Sequence, residues 1–254
     1  MIFRRLYGRQ EFKEKALRAI AAPFPLGDPR NPAPSAAFSP HEPWERAMPD
    51  ELTAFALNCS LKASLDEEAS STDKMLSDLL DALEPYRVTG EIVRVLDHEI
   101  KPGVLSDMGE GDDWPELRRK IVEADIFILG TPVWMGQPSS VAKRVLERLD
   151  AFLSETDGNG RMPAAGKVAL VAVVGNEDGA HNCHACCFQA LADVGFTIPA
   201  NAGCYWVGEA MGKTDYKDLP RTPAKVGQTL AMAASNAAHL ARLLRRDRFP
   251  GVEG

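Results

Sequence analysis

At 254 residues, 45% hydrophobic and 26% charged, the chain has enough length to bury the core of one domain carrying an extension. Its net charge of −7 argues against nucleic acid as a partner, because phosphate binding needs a basic face. No apolar run approaches the roughly 18 residues of a membrane span, and no apolar h-region follows the basic Arg4-Arg5 start, so the expected setting is cytoplasmic.

Residues 1–50 differ in composition from the rest of the chain. Six basic residues (Arg4, Arg5, Arg9, Lys13, Lys15, Arg18) suit a short amphipathic helix, and eight prolines then fall between Pro23 and Pro49. Proline lacks the donor that helices and sheets need. The segment therefore reads as a Pro-rich extension, either a tail or an arm packed on a neighbouring subunit.

From Leu52 onward strands and helices alternate. Leu52 to Leu57 predicts a first strand, and Thr72 to Pro85 a helix with Met75, Leu76, Leu79, Leu80 and Leu83 at helical spacing. Glu91 to Leu96 reads as strand two and Trp114 to Glu123 as a helix. Asp125 to Gly130 is strand three, followed by a helix with Val141, Val145, Leu149 and Phe152 on one face. Lys167 to Val174 is nearly all apolar, as expected of a strand covered on both faces. Ala180 to Val194 reads as a helix stopped by Gly195. Phe196 to Val207 supplies a bent fifth strand, whose Tyr205 and Trp206 are candidate subunit contacts. Pro223 to Arg246 closes the chain with a helix striped by Val226, Leu230, Ala233, Ala237, Leu240 and Leu244. The pattern predicts an α/β domain over residues 51–248, a doubly wound five-stranded parallel sheet with helices on both faces.

Such sheets bind ligands beyond the carboxyl ends of their strands, so three loops carry the candidate site. The first runs Asn58-Cys59-Ser60-Leu61-Lys62-Ala63-Ser64, with a helix starting near Ser70-Ser71-Thr72. Hydroxyls and orphan amides at a helix start suit a phosphate, and Lys62 adds charge; taken alone, Ser70 to Thr72 equally suit a plain helix cap. The loop is neither a Gly-x-Gly-x-x-Gly nor a Walker A sequence. In the second loop, Pro132 stiffens a turn, Trp134 offers a flat face and Gly136 permits close backbone approach. It suits a planar ring, or Trp134 is a core or interface aromatic. The third, Gly175-Asn176-Glu177-Asp178-Gly179, suits the polar edge of a heterocycle, or is a solvated loop.

Asn58-x-Ser60-x-Lys62 with Ser71-Thr72 resembles an Asn-Gly-Ser-Pro-Arg/Lys…Asn-Thr phosphate loop. Gly130-Thr131-Pro132-Val133-Trp134-x-Gly136 with Lys143 and Asp150 resembles a Ser/Thr-Pro-x-Tyr/Trp-x-Gly…Lys…Asp-Arg segment. Both mark the NADPH-dependent FMN reductase-like branch of the flavodoxin-fold proteins, which includes quinone reductases of the WrbA type. The resemblance covers residues 52–195 and extends more loosely to 246. The chain departs from the pattern at Cys59 and Leu61, in an acidic insertion (Asp66, Glu67, Glu68), and in lacking the Gly-Gly-Gly run of WrbA proteins.

The resemblance implies a flavodoxin-like sheet of order 2-1-3-4-5 binding FMN, with NADPH or NADH as co-substrate. Ser60, Lys62, Ser71 and Thr72 would hold the phosphate. Pro132, Val133, Trp134, Met135 and Gly136 would line the isoalloxazine, and Gly175, Asn176, Asp178 and Gly179 would meet its pyrimidine edge. The implied activity passes hydride through flavin N5 to a quinone, flavin or other small acceptor, with no catalytic side chain. A flavodoxin-type electron carrier and a binding subunit without catalysis are the alternatives. The family also implies a homo-oligomer, dimer or tetramer.

His181-Asn182-Cys183-His184-Ala185-Cys186-Cys187 holds three of the five cysteines. These form no spaced disulfide framework. A closed zinc site draws four ligands and only one compact pair exists here, so no metal is expected. A helix start could instead lower the Cys183 pKa and make it redox-sensitive. The third reading is a plain helix start with small buried thiols, His181 lying near the flavin mouth.

Overall fold

The computed structural model describes residues 51–66 and 69–252. The expected arm of residues 1–50, and Glu67 and Glu68 of the acidic insertion, lie outside the described residues. The sheet contains β1 (Leu52–Asn58), β2 (Val88–Arg94), β3 (Ile126–Trp134), β4 (Gln137–Pro138), β5 (Val168–Gly175) and β6 (Gly203–Val207). The helices are α1 (Ser71–Leu83), α2 (Trp114–Glu123), α3 (Ser140–Leu149), α4 (Ala180–Asp193) and α5 (Ala224–Arg246).

The strand order is β2-β1-β3-β5-β6, all parallel, with the two-residue β4 folded back on β3. Setting β4 aside, this is the expected flavodoxin-like order 2-1-3-4-5. Strand alternation sorts the side chains into two cores. Phe127, Leu129, Val171 and Val173 face α2, α3 and α4. Ile126, Ile128, Leu170 and Ala172 face α1 and α5. That two-sided cover explains why β5 reads as an unbroken apolar run.

Boundaries moved where pairing outweighed local pattern. Strand two occupies 88–94 rather than 91–96, in register from Leu52↔Val88 to Asn58↔Arg94. It is an edge strand, so Thr89, Gly90 and Glu91 remain exposed and show no apolar signature. Val95 to Asp97 coil into a 3-10 turn that buries Val95. Strand three continues to Trp134, because pairing with β5 persists to Pro132↔Val174 and the β4 hairpin adds two further pairs. Thr197 makes a single bridge to Val168 before the bend, and the fifth parallel strand proper starts at Gly203.

Candidate functional site

The carboxyl ends of β1, β3, β5 and β6 open onto one cavity of about 620 Å³. Its first end is built by the β1 loop and the start of α1. The Ser60 amide donates to Asn58 Oδ1 at 3.0 Å, which curls the loop back on itself. Asn58 Nδ2 donates to Asp73 Oδ1 at 3.1 Å and ties that loop to the helix. Ser70 caps α1 by accepting from the Asp73 amide at 3.3 Å. The amides of Ser71 and Thr72 precede the first intrahelical bond, so they and the helix dipole point at the cavity. Ser60 Oγ is buried and has no partner among the described residues, and half-buried Lys62 lines the same end. A buried hydroxyl, two leftover amides and a lysine form a donor set that fits a phosphate group.

Gly130 lets this end form. A Cβ there would stand 2.8 Å from Leu76 Cδ1 and 2.9 Å from Thr72 Cγ2. The missing side chain allows the first turn of α1 to rest on the end of β3. On the far side, Ser139 caps α3 through the Ala142 amide, and its hydroxyl donates to Cys59 O at 2.6 Å. The first and second loops are thereby fastened together.

Pro132, Val133 and half-exposed Trp134 form the cavity's flat wall, and Gly175 and Asn176 its polar end. Nine of the thirteen expected residues therefore line one space. Met135, Gly136, Asp178 and Gly179 do not. Met135 and Gly136 are the central residues of the β3–β4 hairpin, with φ of 50° and 73°. Left-handed values at both positions define a type I′ turn. Gly179 packs behind that turn, where a Cβ would meet Gly136 Cα at 2.5 Å. Asp178 accepts from the Gly179 amide at 2.8 Å. These four hold the second loop against the third, and Asn182 Nδ2 adds a bond to Gly136 O at 2.9 Å.

The fourth wall is not apparent from the sequence. Trp206, expected at a subunit contact, lines the cavity with Met211, Gly212, Asp215 and Tyr216 from the segment after β6. Asn176 staples that segment by donating to Asp215 Oδ1 at 2.8 Å, and its carbonyl accepts from the Met211 amide at 3.0 Å. Tyr216 donates to Asp78 Oδ2 at 2.6 Å and packs against Trp206 with ring centroids 5.6 Å apart. Burial, then the bond to Asp78, pushes the Tyr216 phenol well above its ordinary value. The available signal is aromatic content beside a long gap before α5; no periodicity marks such a segment. Glu177 carries no sequence signal either, yet it lines the cavity and accepts from the Met135 amide at 2.9 Å.

The cysteine cluster resolves as part of the core. Cys183 and Cys187 are buried on the inner face of α4, while Cys186 is exposed. Burial pushes the Cys183 thiol to about 11 and those of Cys187 and Cys204 to about 12. Of the sequence readings, the plain helix start with small buried thiols fits Cys183 and activation by the helix start does not, because desolvation of the thiolate outweighs the dipole. His181 is exposed, hydrogen-bonded to the Tyr205 hydroxyl at 3.2 Å, and does not line the cavity. Among the described residues, no group of three or more His, Cys, Asp or Glu side chains could hold a metal ion.

Fold and cavity together define a flavodoxin-like protein with a strand-end site suited to a phosphorylated planar ligand. Residues 53–212 match the model of the NADPH-dependent FMN reductase family, and the chain belongs to that family of flavin-dependent oxidoreductases. It is 31% identical over 209 residues to the 8-demethyl-8-aminoriboflavin-5'-phosphate synthase of Streptomyces davaonensis, covering 78% of this chain and 80% of that protein. It is 35% identical over 204 residues to a Mycobacterium bovis protein named divalent metal cation transporter MntH. That match takes in 77% of this chain but spans only 29% of the relative's length. Among solved structures, RosB with bound 8-demethyl-8-formylriboflavin-5'-phosphate superposes with a TM-score of 0.70 at 30% identity, covering 78% of this chain and 82% of that one.

Proposed function

We propose that this protein is an FMN-dependent NAD(P)H oxidoreductase delivering electrons to a quinone, a flavin or another small acceptor. One observation carries the reading. The anion-binding end at Ser60 and α1, the flat wall from Pro132 to Trp134 and the polar end at Asn176 share one cavity, of a size usual for small-ligand sites. FMN would supply the redox chemistry. Ser60, Lys62 and the α1 amides would bind the phosphate and set the ring's depth, Trp134 and Trp206 would flank it, and the stapled segment at Tyr216 would limit water. No side-chain acid or base is required. The test is the visible flavin band of the purified protein. Bleaching on addition of NADPH or NADH supports the reductase; a flavin band inert to both but reducible by a partner protein points to a carrier. A colourless protein that takes up no FMN defeats both.

A second reading makes the flavin phosphate the substrate. It is favoured by the Streptomyces davaonensis relative, named for a flavin phosphate product and 31% identical over 80% of its length. Mass spectrometry of the flavin recovered after turnover separates the two. Unaltered FMN supports the reductase, and a changed ring substituent supports conversion.

A further inference from the structure

A second and larger cavity, about 870 Å³, lies on the other side of Trp134. Leu61 and Trp134 line both spaces. Its base comes from α3 and α4, with Leu146, Ala190 and Val194 turned inward. Around the rim, Val104, Met135 and Leu153 leave apolar surface in water, Met135 being 87% exposed. Type I′ turns strongly favour Asn-Gly or Gly-Gly at their centre, yet here a methionine occupies the first position at a φ of 50°. Its amide is held by Glu177 at 2.9 Å, which keeps the side chain on the rim. Concave apolar surface of this kind gains free energy when a ligand covers it.

The charge in the cavity has one sign to spare. Glu147, Asp150 and Asp193 face one cation, Lys143, and that ammonium is already 3.3 Å from Glu147. Asp193 accepts from the neutral amide of Gln189, at 2.8 Å. Asp150, exposed at the rim, adds a further negative charge. An indole face beside such carboxylates also attracts cations.

We propose that this cavity binds an organic cation with an aromatic body, an arylalkyl ammonium. Its ring would lie along Leu146, Ala190 and Trp134, and its ammonium would face Asp150 and Asp193. The assignment deepens the oxidoreductase reading by naming the chemical class of a second ligand, separated from the proposed flavin cavity by Leu61 and Trp134.

Cys186 serves as a built-in reporter, because it lines this cavity and is exposed while the other four cysteines are buried. The experiment follows alkylation of Cys186 by neutral iodoacetamide in the full-length protein, by intact mass, with and without FMN. The probes are 1-naphthylmethylamine and its anionic counterpart 1-naphthoate. At ten times its Kd, the amine should slow labelling about tenfold. Naphthoate should leave the rate unchanged, and added salt should weaken the amine's protection. The double variant Asp150→Asn, Asp193→Asn should lose that protection, each protein being compared with its own unliganded labelling rate. Equal protection by amine and anion, or no protection by the amine, overturns the proposal. So does protection that grows with protein concentration alone, which would place a second copy on this face. If the amine protects a protein that takes up no FMN, the cavity assignment stands and the reductase reading falls. If FMN binds and the amine does not protect, the reverse holds.

Discussion

The Ser60 hydroxyl is buried in the cavity wall without a partner among the described residues. An unsatisfied buried polar group costs about 1–3 kcal/mol, so the apo fold gains nothing from it and an anionic ligand does. Ser60→Ala should leave the apo Tm unchanged or slightly higher while weakening FMN binding about tenfold, roughly 1.4 kcal/mol. Differential scanning fluorimetry and FMN titration read the two effects separately. A lower apo Tm with unchanged affinity would make Ser60 a packing residue instead. The place of Ser60 in the cavity wall was legible in the sequence because that end of the cavity is local: a loop, a helix start and their hydroxyls are neighbours along the chain. Tyr216 was not, since its role depends on Asp78, 138 positions away.

Elements meet through two features of opposite visibility. Gly130 permits α1 to rest on β3, so Gly130→Val should force the helix away by overpacking, at about 1–3 kcal/mol. It should weaken FMN binding as well, because the displaced turn carries the Ser71 and Thr72 amides. Urea unfolding and flavin titration together check this; a loss of stability with unaltered affinity would detach the helix start from the site. The second feature is Arg148, fully buried with Asp112. Its guanidinium donates to Asp112 Oδ1 and Oδ2 at 3.0 and 2.8 Å and to the carbonyls of Lys101 and Leu105, fixing the segment between β2 and α2. Arg148→Met would strand a buried carboxylate and should cost about 3–5 kcal/mol, read as a shift in the urea midpoint. Burial by itself would raise the Asp112 carboxyl, but the bonds from Arg148 and from the amides of Met108, Lys101 and Trp114 outweigh it and hold the group well below the usual carboxylate range. A depressed folded pKa stabilises above the ordinary aspartate value of about 4, and that stability is lost as pH falls below it toward the folded value. Unfolding midpoints measured downward from neutral pH should therefore drop more steeply in the parent protein than in Asp112→Asn. Parallel curves would remove Asp112 from the acid transition.

At the scale of the whole molecule, the two cores sequester four of the five thiols. A native thiol titration should show one fast-reacting group, Cys186, and five after unfolding; two or more fast groups in the native protein would contradict the packing of α4. The alternation of apolar strands and striped helices was enough to predict the sheet and its two-sided cover, because periodicity records which face of an element is hidden. The loops after β1 and β3 were readable for the same local reason, and with them the family resemblance. Long-range contact decided the rest. Pairing with β1 set the limits of the edge strand. The hairpin at Met135 and Gly136 turned both residues away from the strand-end cavity and set Met135 on the rim of its neighbour. Asn176 and Asp78 drew the segment after β6 over the site. A segment without periodicity acquires its position only from partners distant in the chain, and those partners are brought together by the sheet and not by the sequence around them.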